Sequence, residues 1–460
     1  MDRDGSEHRP AVLRWRAVVA TGIAYYLLAV LMWQIDSSWG SAFWPAAGVT
    51  FAVLVRSPRR SWPVLVAVVA LAELTANLQF GTSLGTALCG AAANSAEPLI
   101  GAAVFTALTG QRRLCDLGSL GAFLIGGVLA GPAVGAVFGG LLPAAGSGPA
   151  GWLRWFVGDG VGVIAVAPAL LAPSLRTLRG RIIETVGLTT ALAGAANLLV
   201  LPDGVLLAVS PYLAVPVLLW GGLRFGAHGA AVSSTVIATV VHAATATGHG
   251  PFVVGGRAGL VVAQTYIGIF SISALALAVL VNDLEARRRN EQALLHRALH
   301  DPLTGLPNRS MLELCLASDE VGAVIAVDLD HFKPINDAFG HDAGDYVLRE
   351  VASRLQAACR PTDLVARTGG DEFVVLLRDI VPDDVLADTA ARLESAVRAP
   401  LKVNGTALAV GASIGTAPSR TGADSASLLR EADQRMYEQK HRSRAAARRS
   451  GTPGAGTART

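Results

Sequence analysis

Leu364-Val-Ala-Arg-Thr-Gly-Gly-Asp-Glu-Phe-Val-Val-Leu-Leu377 places two apolar runs on either side of a glycine pair. Residues 364–367 and 373–377 are rich in strand-forming types, and two glycines between such runs indicate a tight β-hairpin. Asp371 and Glu372 follow the glycines directly. The stretch therefore predicts a hairpin that carries two carboxylates at its tip.

Strands and helices alternate around this hairpin. Buried strands are predicted at residues 321–327 and 407–414, and helices at 343–359, 382–397 and 424–442. In the helix at 343–359 apolar residues recur every three or four positions, which is the period of a helix with one buried face. These elements predict an α/β domain of about 150 residues, an ordinary domain size.

Acidic residues end the first predicted strand as well as the hairpin. Asp328 and Asp330 follow residues 321–327 closely, and Mg²⁺ is commonly held by one or two carboxylates together with phosphate oxygens. Glycine lets a backbone approach phosphates closely. A glycine turn or an acidic strand end is often only structural, but the combination predicts a metal–triphosphate site. Two metals there would activate an attacking hydroxyl and stabilise a leaving pyrophosphate.

The residues before this domain have a different composition. The chain of 460 residues is 52% hydrophobic and only 16% charged, which is too apolar for a soluble protein. Apolar stretches between positions 17 and 281 predict about ten transmembrane helices of ~20 residues each. Residues 1–16 are polar and basic with no convincing cleavage site after them, so the first span is predicted to be retained. The lipid bilayer is thus an expected partner.

Charge and cysteine content argue against other classes. The formal net charge is only +3, with the basic excess in loops and the tail, which does not favour nucleic-acid binding. The four cysteines show neither Cys-x-x-Cys spacing nor histidines at metal spacing, so no disulfide or metal is assigned to them. Arginine-rich loops alternate with loops poor in basic residues, which predicts that both ends of the membrane half are cytoplasmic.

Polar residues fall inside the predicted spans. An ionisable group in hydrocarbon is costly and marks a ligand site or relay unless it forms interhelical hydrogen bonds or lies near the interface. Both alternatives stay open, with the functional one favoured most for Glu97 and Asp159. The residues concerned are Glu73, Asn77, Asn94, Glu97, Asp159 and His242.

A charged segment without proline, residues 282–299, connects the two halves. Leu284, Leu295 and Leu299 would form an apolar stripe on a helix. The segment is either a passive linker helix or a short parallel coiled coil that couples the membrane half to the spacing of two catalytic domains. It is shorter than the three or four heptads that distinguish these alternatives.

Motifs after position 300 appear in a fixed order: residues 301–309 (DPLTGLPNR), 328–333 (DLDHFK), 336–337 (ND), 340–345 (GHDAGD), 367–373 (RTGGDEF), 432–433 (AD) and 436–437 (MY). In this order they closely resemble the GGDEF-domain diguanylate cyclases over residues 300–444. The resemblance implies a fold like the nucleotidyl cyclase/polymerase palm and an Mg²⁺-dependent enzyme, with Mn²⁺ as an alternative. Such an enzyme condenses two GTP molecules into cyclic di-GMP and two pyrophosphates.

The resemblance also implies roles for individual residues. Metal ligands would be Asp328, Asp371 and the Leu329 carbonyl, with Glu372 beside them, and either Asp371 or Glu372 would be the catalytic base. A carboxylate can accept hydrogen bonds from guanine, so Asn336 and Asp345 would select GTP. The expected triphosphate contacts are Gly369, Gly370, Lys333, Lys440 and Arg444.

Regulation and assembly follow from the same resemblance. Each domain would hold one GTP, so catalysis requires a homodimer. Arg360 and Asp363 match an inhibitory site for the cyclic di-GMP product, with Arg392 as a further contact. Residues 445–460 are predicted to be a disordered tail.

The membrane half, residues 1–281, is similar to the MASE-type sensor domains of bacterial signalling enzymes, on residues 43–48 (FWPAAG), 152–168 and 218–226. Its sensory ligand is unknown. The chain is thus expected in the bacterial plasma membrane as a multi-pass protein with a cytoplasmic catalytic domain. Two other functions stay open: a non-catalytic receptor for GTP or cyclic di-GMP, and a transporter with a regulatory tail. No phosphodiesterase pattern follows in the sequence.

Overall fold

The computed structural model describes residues 15–35, 43–139, 149–172, 181–200, 205–253, 257–318, 321–379, 382–403, 406–419 and 425–449. Contacts divide the chain into two compact units, Met1–Arg287 and Arg288–Thr460. The boundary lies six residues beyond the predicted end of the membrane half.

The first unit is helical, as an alanine-rich and nearly uncharged sequence favours. The π-helical segment Leu124–Ala130 joins its fifth and sixth helices, and its tenth continues into the second unit. The helices are α1 Trp15–Ile35, α2 Pro45–Arg56, α3 Trp62–Gln79, α4 Leu84–Thr109, α5 Leu117–Phe123, α6 Gly131–Gly139, α7 Pro149–Leu171, α8 Ile182–Val200, α9 Val205–Ala246 and α10 Arg257–Leu299.

Among the described residues, eight helical segments are long and apolar enough to cross a membrane, and α2 is a shorter apolar helix. One of the eight, α9, is interrupted at Gly226, whose φ of 64° and ψ of −153° are not helical. A positive φ favours glycine because it has no Cβ. The prediction of about ten helices of ~20 residues thus compares with eight membrane-length segments in the described part of the chain.

Two motifs of the membrane half pack directly on each other. The N–H of Trp44 lies 3.4 Å from the Gly158 carbonyl. A Cβ atom on Gly162 would lie only 2.1 Å from the Trp44 carbonyl oxygen, and one on Gly48 only 2.6 Å from the Gly162 carbonyl oxygen. The glycines of α2 and α7 are therefore required by backbone contact between these helices.

The second unit contains a four-stranded sheet of order β2-β3-β1-β6, in which every neighbouring pair is antiparallel. A separate ribbon pairs β4 with β5. The elements are α11 Arg309–Ser318, β1 Ala323–Asp330, α12 Phe332–Phe339, α13 His341–Ala358, β2 Leu364–Gly369, β3 Glu372–Leu377, α14 Asp383–Arg398, β4 Leu401–Val403, β5 Thr406–Leu408, β6 Gly411–Pro418 and α15 Ser425–Arg449.

The central strand β1 is buried on both faces. Its odd-numbered residues from Ala323 to Leu329 join the core that includes α13 and α14, while Val324 and Ala326 join the core that includes α11 and α15. Side chains alternate across a strand. The even-numbered Asp328 therefore belongs to the α15 side of the sheet.

Two predictions about the second unit are wrong. The single strand expected at 407–414 is two strands, because the chain leaves the ribbon after Leu408 and enters the main sheet at Gly411. The predicted disordered tail is helical up to Arg449, since alanine and arginine are strong helix formers. Residues 450–460 lie outside the described part of the chain.

The connector is helical, as both alternatives for it required, and it continues α10 without a break. Leu284 and Leu295 are exposed on it, at 49% and 55%. Asp283 and Arg287 form an ion pair of 3.0 Å one turn apart. The choice between a passive linker and a coiled coil stays a prediction.

Candidate active site

The predicted hairpin forms, with a two-residue turn at Gly370 and Asp371 and a register shift between Arg367 and Gly369. A Cβ atom on Gly370 would meet no atom within 4 Å, and one on Gly369 would meet only Glu372, at 3.7 Å. Neither glycine has a positive φ. The chain's own packing therefore does not require glycine at either position, and the turn can be approached closely by a ligand.

The predicted strand-end carboxylate lies beside this turn. Asp328 pairs with Glu372 in the register of β1 and β3, and Leu329 donates its N–H to the Asp371 carbonyl at 3.1 Å. Lys440 of α15 forms an ion pair with the Asp328 carboxylate. The carboxylates predicted from separate motifs are thus brought together at adjoining strands.

The electrostatics of this cluster are acidic. Burial raises the pKa of Asp328 above its ordinary value, Lys440 opposes that rise and nearby carboxylates, including Asp371, add to it. Burial also raises the pKa of Glu372, and the charges of Asp328 and Asp433 raise it further. A cation at this position would relieve the repulsion among these groups.

The donor set is suited to a metal that shares its ligands with a substrate. In the part of the chain that the structure describes, no three His, Cys, Asp or Glu side chains converge at metal-ligand spacing. The predicted ligands are the carboxylates of Asp328 and Asp371 and the Leu329 carbonyl, with Glu372 beside them. Mg²⁺ is usually bound by one or two carboxylates and completes its shell with phosphate and water oxygens, so these residues fit it.

The two predicted guanine contacts lie on either side of the turn between α12 and α13. That turn contains Gly340, with φ of 83°. A Cβ atom on Gly344 would lie 1.8 Å from Asn336 Oδ1, so the Asn336 side chain packs directly on the backbone of α13. Asp345, the next residue, lies 3.9 Å from Arg349. Asn336 and Asp345 are thereby brought to the same helix junction.

The predicted cationic residues differ in placement. Lys440 lies in the acidic cluster, whereas Lys333 is exposed in the first turn of α12 and, within the described residues, makes no ion pair. Arg444 belongs to α15, but its side chain lies outside the described part. Of the two predicted cations whose side chains the structure describes, Lys440 is positioned by contacts with the acidic cluster and Lys333 is not.

The residues of the predicted product site form a second polar group, before β2 begins. The backbone carbonyl of Arg360 accepts a hydrogen bond from the Asp363 N–H at 3.0 Å, and the Arg360 backbone N–H donates to the Asp363 carboxylate at 3.0 Å. The Arg360 guanidinium lies 3.6 Å from Asp379. Arg392 donates from Nε to the last carbonyl of α13 at 3.0 Å. This places Arg392 at the helix end from which the Arg360–Asp363 turn leaves.

A surface cavity of about 250 Å³ opens at this turn, lined by Arg360, Asp363 and neighbouring residues of α13 and β2. Cys359 lies in its wall, and burial, with the charge of Asp363, raises its pKa to about 11, although Arg392 opposes the rise. The thiol is therefore neutral at physiological pH. The cavity and the Gly370–Asp371 turn lie at opposite ends of β2.

Two residues outside the predicted site set support the hairpin. Arg367 donates from Nε and Nη2 to the Gly370 carbonyl at 3.1 and 2.7 Å and from Nη1 to Asp301 at 2.8 Å. Burial would raise the pKa of Asp301, but hydrogen bonds from Thr304 and Arg367 outweigh it and lower the pKa. Both residues belong to motifs visible in the sequence, but nothing in their spacing indicates that they meet.

Comparisons with known proteins cover both units. The MASE1 family matches residues 17–285, and "Diguanylate cyclase, GGDEF domain" matches residues 298–446. An uncharacterized signaling protein of Caulobacter vibrioides is 42% identical over 177 residues, which are 36% of this chain and 22% of that protein. Diguanylate cyclase TpbB of Pseudomonas aeruginosa is 40% identical over 197 residues, 39% of this chain and 45% of TpbB.

A solved structure of the coiled coil and GGDEF domain of DgcB from Caulobacter crescentus, in complex with c-di-GMP, is 30% identical. It covers 38% of this chain and 94% of that chain, with a TM-score of 0.33. The chain spans less than half the length of either curated relative. The MASE1 match extends over more than half of the sequence. The chain therefore belongs to the MASE1 family of multi-pass membrane proteins and carries a GGDEF domain after its membrane half.

Proposed function

We propose that this chain is a membrane-anchored sensory diguanylate cyclase. The observation that carries the proposal is the meeting of Asp328, Asp371 and Glu372 beside an open Gly369-Gly370 turn. In the reaction, the 3′-hydroxyl of each GTP attacks the α-phosphorus of the other. Two phosphodiester bonds form, two pyrophosphates leave, and each hydroxyl gives up its proton.

The expected cofactor is a divalent cation, Mg²⁺ or alternatively Mn²⁺, held by Asp328, Asp371 and the Leu329 carbonyl. When bound, it would stabilise charge on the phosphates and acidify the attacking hydroxyl. Glu372 is exposed, and partial burial of its carboxylate and nearby acids raise its pKa above the ordinary value, which makes it a better proton acceptor than an unperturbed carboxylate. Asp371 is the alternative base.

GTP would be held at two places. Asn336 and Asp345 offer an amide and a carboxylate at one helix junction. A carboxylate can accept from the paired N1–H and N2–H donors of guanine, a pair that adenine lacks because its N1 is an acceptor. The open backbone of Gly369 and Gly370 would carry the triphosphate. Lys440 would bind phosphate from its position on Asp328, with Lys333 and Arg444 as further contacts.

Because each domain supplies one such site, the active species would be a homodimer in which two sites face each other. The exposed leucines of the connector are consistent with helix pairing before the domain. The cavity lined by Arg360 and Asp363, with Arg392 at the adjoining end of α13, would bind the product, since arginine clamps phosphate and stacks on guanine. The cyclic di-GMP complex of DgcB makes this ligand reasonable.

Activity is tested with the full chain in nanodiscs, supplied with GTP and Mg²⁺. Cyclic di-GMP and pyrophosphate should form in a ratio of one to two. Asp371→Asn should abolish product, whereas Asp388→Asn, an exposed acid on α14, should not. Binding of GTP or cyclic di-GMP by the wild-type chain without any product would instead establish the receptor function.

Product inhibition is tested by adding cyclic di-GMP to the same assay. Arg360→Ala should raise the inhibitory concentration at least about tenfold, because one lost charged contact costs roughly 1.5–3 kcal/mol. Arg398→Ala is the matched control, because Arg398 is about as exposed as Arg360 and, among the described residues, pairs only with Glu394 on its own helix α14. Equal inhibition of wild type and Arg360→Ala would refute the product site.

A further inference from the structure

Two carboxylates in the membrane half are buried without hydrogen-bond donors. Glu97 of α4 and Asp159 of α7 are each only 1% exposed. All four of their carboxylate oxygens lack a hydrogen-bond partner. An uncompensated carboxylate away from water is among the most costly groups in a protein, so this pair requires an explanation.

The Glu97 and Asp159 carboxylates lie close to each other in the same buried region. Glu97 and Asp159 lie close enough to influence each other's charge, and Asp159 lies near Trp155 one turn earlier, but neither contact has the geometry of a hydrogen bond. A Cβ atom on Gly135 would lie 2.9 Å from Glu97 Oε2 and 3.3 Å from Trp155 Nε1. That indole N–H is itself buried without a partner. The two polar groups therefore point toward the same place beside Gly135.

The backbone around the pair is shaped by glycine. A Cβ atom on Gly131 would lie 2.9 Å from the Glu97 carbonyl oxygen, and one on Gly139 only 2.3 Å from the Trp155 ring. These glycines and Gly135 form one line along α6 at four-residue spacing. The segment immediately before this line is π-helical, a feature that often occurs at functional sites.

Further oxygen atoms lie one turn before Glu97. Asn94 is 5% exposed, and its Oδ1 has no partner. Pro98 has no N–H, so the backbone carbonyl of Asn94 loses its helical hydrogen bond. Asn94 and Glu97 share a helix face because they are three residues apart. The surroundings of the pair are thus rich in acceptors.

A third buried acid shows the contrast. Glu73 accepts hydrogen bonds from Tyr25 at 3.0 Å and from Asn77 and Asn94 at 2.8 Å each. Glu73 is therefore satisfied within the fold, and it adds negative charge near Asp159. Three acids of the described membrane segments are buried. Of these, Glu97 and Asp159 have carboxylates without a hydrogen-bond partner, and Glu73 does not.

We propose that Glu97 and Asp159 form a binding site for a hard metal cation inside the MASE1 domain, with Asn94 oxygens as further ligands. A single shared proton would satisfy one oxygen of each carboxyl group and leave the others, and Asn94 Oδ1, without a donor. A hard cation contacts several oxygens at once and prefers carboxylate and carbonyl ligands. This site is independent of the GTP chemistry of the other unit.

The test uses the full chain in nanodiscs, in a buffer whose only other cation is N-methylglucamine. NaCl, KCl, CaCl2 and MgCl2 are titrated separately while the melting temperature is recorded, in an Asp371→Asn background that weakens metal binding at the GGDEF site. One of these cations should raise the melting temperature saturably. Glu97→Gln and Asp159→Asn should each weaken its half-saturation at least about tenfold.

Glu184→Gln, which removes an acid that contacts Arg224, should titrate like the parent chain. If neither test variant folds, equilibrium dialysis of the parent chain against the cation that raised its melting temperature decides, with one bound ion expected. No saturable response to any of the four cations, an unchanged response in Glu97→Gln, or stabilisation by protons alone would overturn the proposal.

Discussion

The chain holds two acidic clusters that solve the same electrostatic problem differently. In the GGDEF unit, Asp328 has Lys440 as a partner and the neighbouring Glu372 is exposed to solvent. In the membrane unit, Glu97 and Asp159 have no hydrogen-bonding partner and are fully buried. Solvent and a lysine can stabilise the first cluster between turnovers, whereas the second depends on whatever positive charge it binds.

The largest expected effect concerns the ion-paired carboxylate. Asp328→Asn should lower the rate of cyclic di-GMP formation by about 10³-fold, because charge stabilisation by a bound metal contributes several kcal/mol. Asp330→Asn should cost at most about tenfold, since the Asp330 carboxylate accepts a hydrogen bond from Ser413 at 2.8 Å that an amide oxygen can replace. Product formation is followed by chromatography at saturating GTP.

Equal losses of rate in Asp328→Asn and Asp330→Asn would mean that both carboxylates at the end of β1 contribute equally to activity. The comparison between the clusters would then be wrong in one respect, because the GGDEF cluster would not depend on one defined carboxylate.

The second effect concerns the support of the catalytic turn. Arg367→Ala should lower kcat by roughly 10²-fold, because small misplacements of reacting groups have effects of that size. KM for GTP should rise by a smaller factor, since Arg367 contacts the Gly370 backbone, one of the proposed triphosphate contacts, but its loss leaves the helix junction at Asn336 in place. Steady-state kinetics separate the two constants.

Arg367→Lys is the matched variant for that measurement. It keeps the charge opposite Asp301 but cannot make both bonds to the Gly370 carbonyl, so it should restore stability and only part of kcat. Full activity in Arg367→Ala would show that the turn is held by the backbone of β2 and β3 alone.

The proposed guanine contacts and the membrane cluster both depend on glycines that admit a polar side chain. Gly344→Ala should raise KM for GTP about tenfold, because the new methyl group would overlap the Asn336 side chain and overpacking costs roughly 1–3 kcal/mol. Gly340→Ala, with its positive φ but no atom within 4 Å of a Cβ, is the control for strain in the same turn. An unchanged KM in Gly344→Ala would remove Asn336 from the guanine site.

The sequence predicted the GGDEF cluster because its parts are local. A glycine pair between apolar runs determines the hairpin, and alternation along β1 determines the side of Asp328. The contact between Asn336 and Gly344 and the bonds of Arg367 were not predictable, since they depend on how helices and loops pack. The division of residues 407–414 into two strands was missed because an apolar run does not show which sheet each residue joins.

The membrane cluster was predictable only as a list of polar residues. Glu73 and Glu97 have the same surroundings in the sequence, apolar and rich in alanine. Their difference is tertiary: Tyr25 and two asparagines satisfy Glu73, while glycines of α6 bring Glu97 next to Trp155 and Asp159. No periodicity in α4 contains that information.

The smallest effects compare removal of one charge from each cluster. Burial and neighbouring acids raise the folded-state pKa of Glu372, so its protonated form is the one that folding favours. This contribution is complete below the ordinary pKa of about 4.3 and is lost as pH rises through the raised value. At neutral pH and without metal, Glu372→Gln should therefore be more stable than wild type, by less than about 1 kcal/mol because the group is exposed and screened. The gain should vanish near pH 4 and shrink with added salt.

Glu97→Gln in cation-free buffer should raise the melting temperature of the membrane unit more, by about 5 °C, with little dependence on ionic strength because its site is buried. Scanning calorimetry of both variants across pH and salt measures these differences, and a larger gain for Glu372→Gln would mean that the buried pair is already neutralised within the fold.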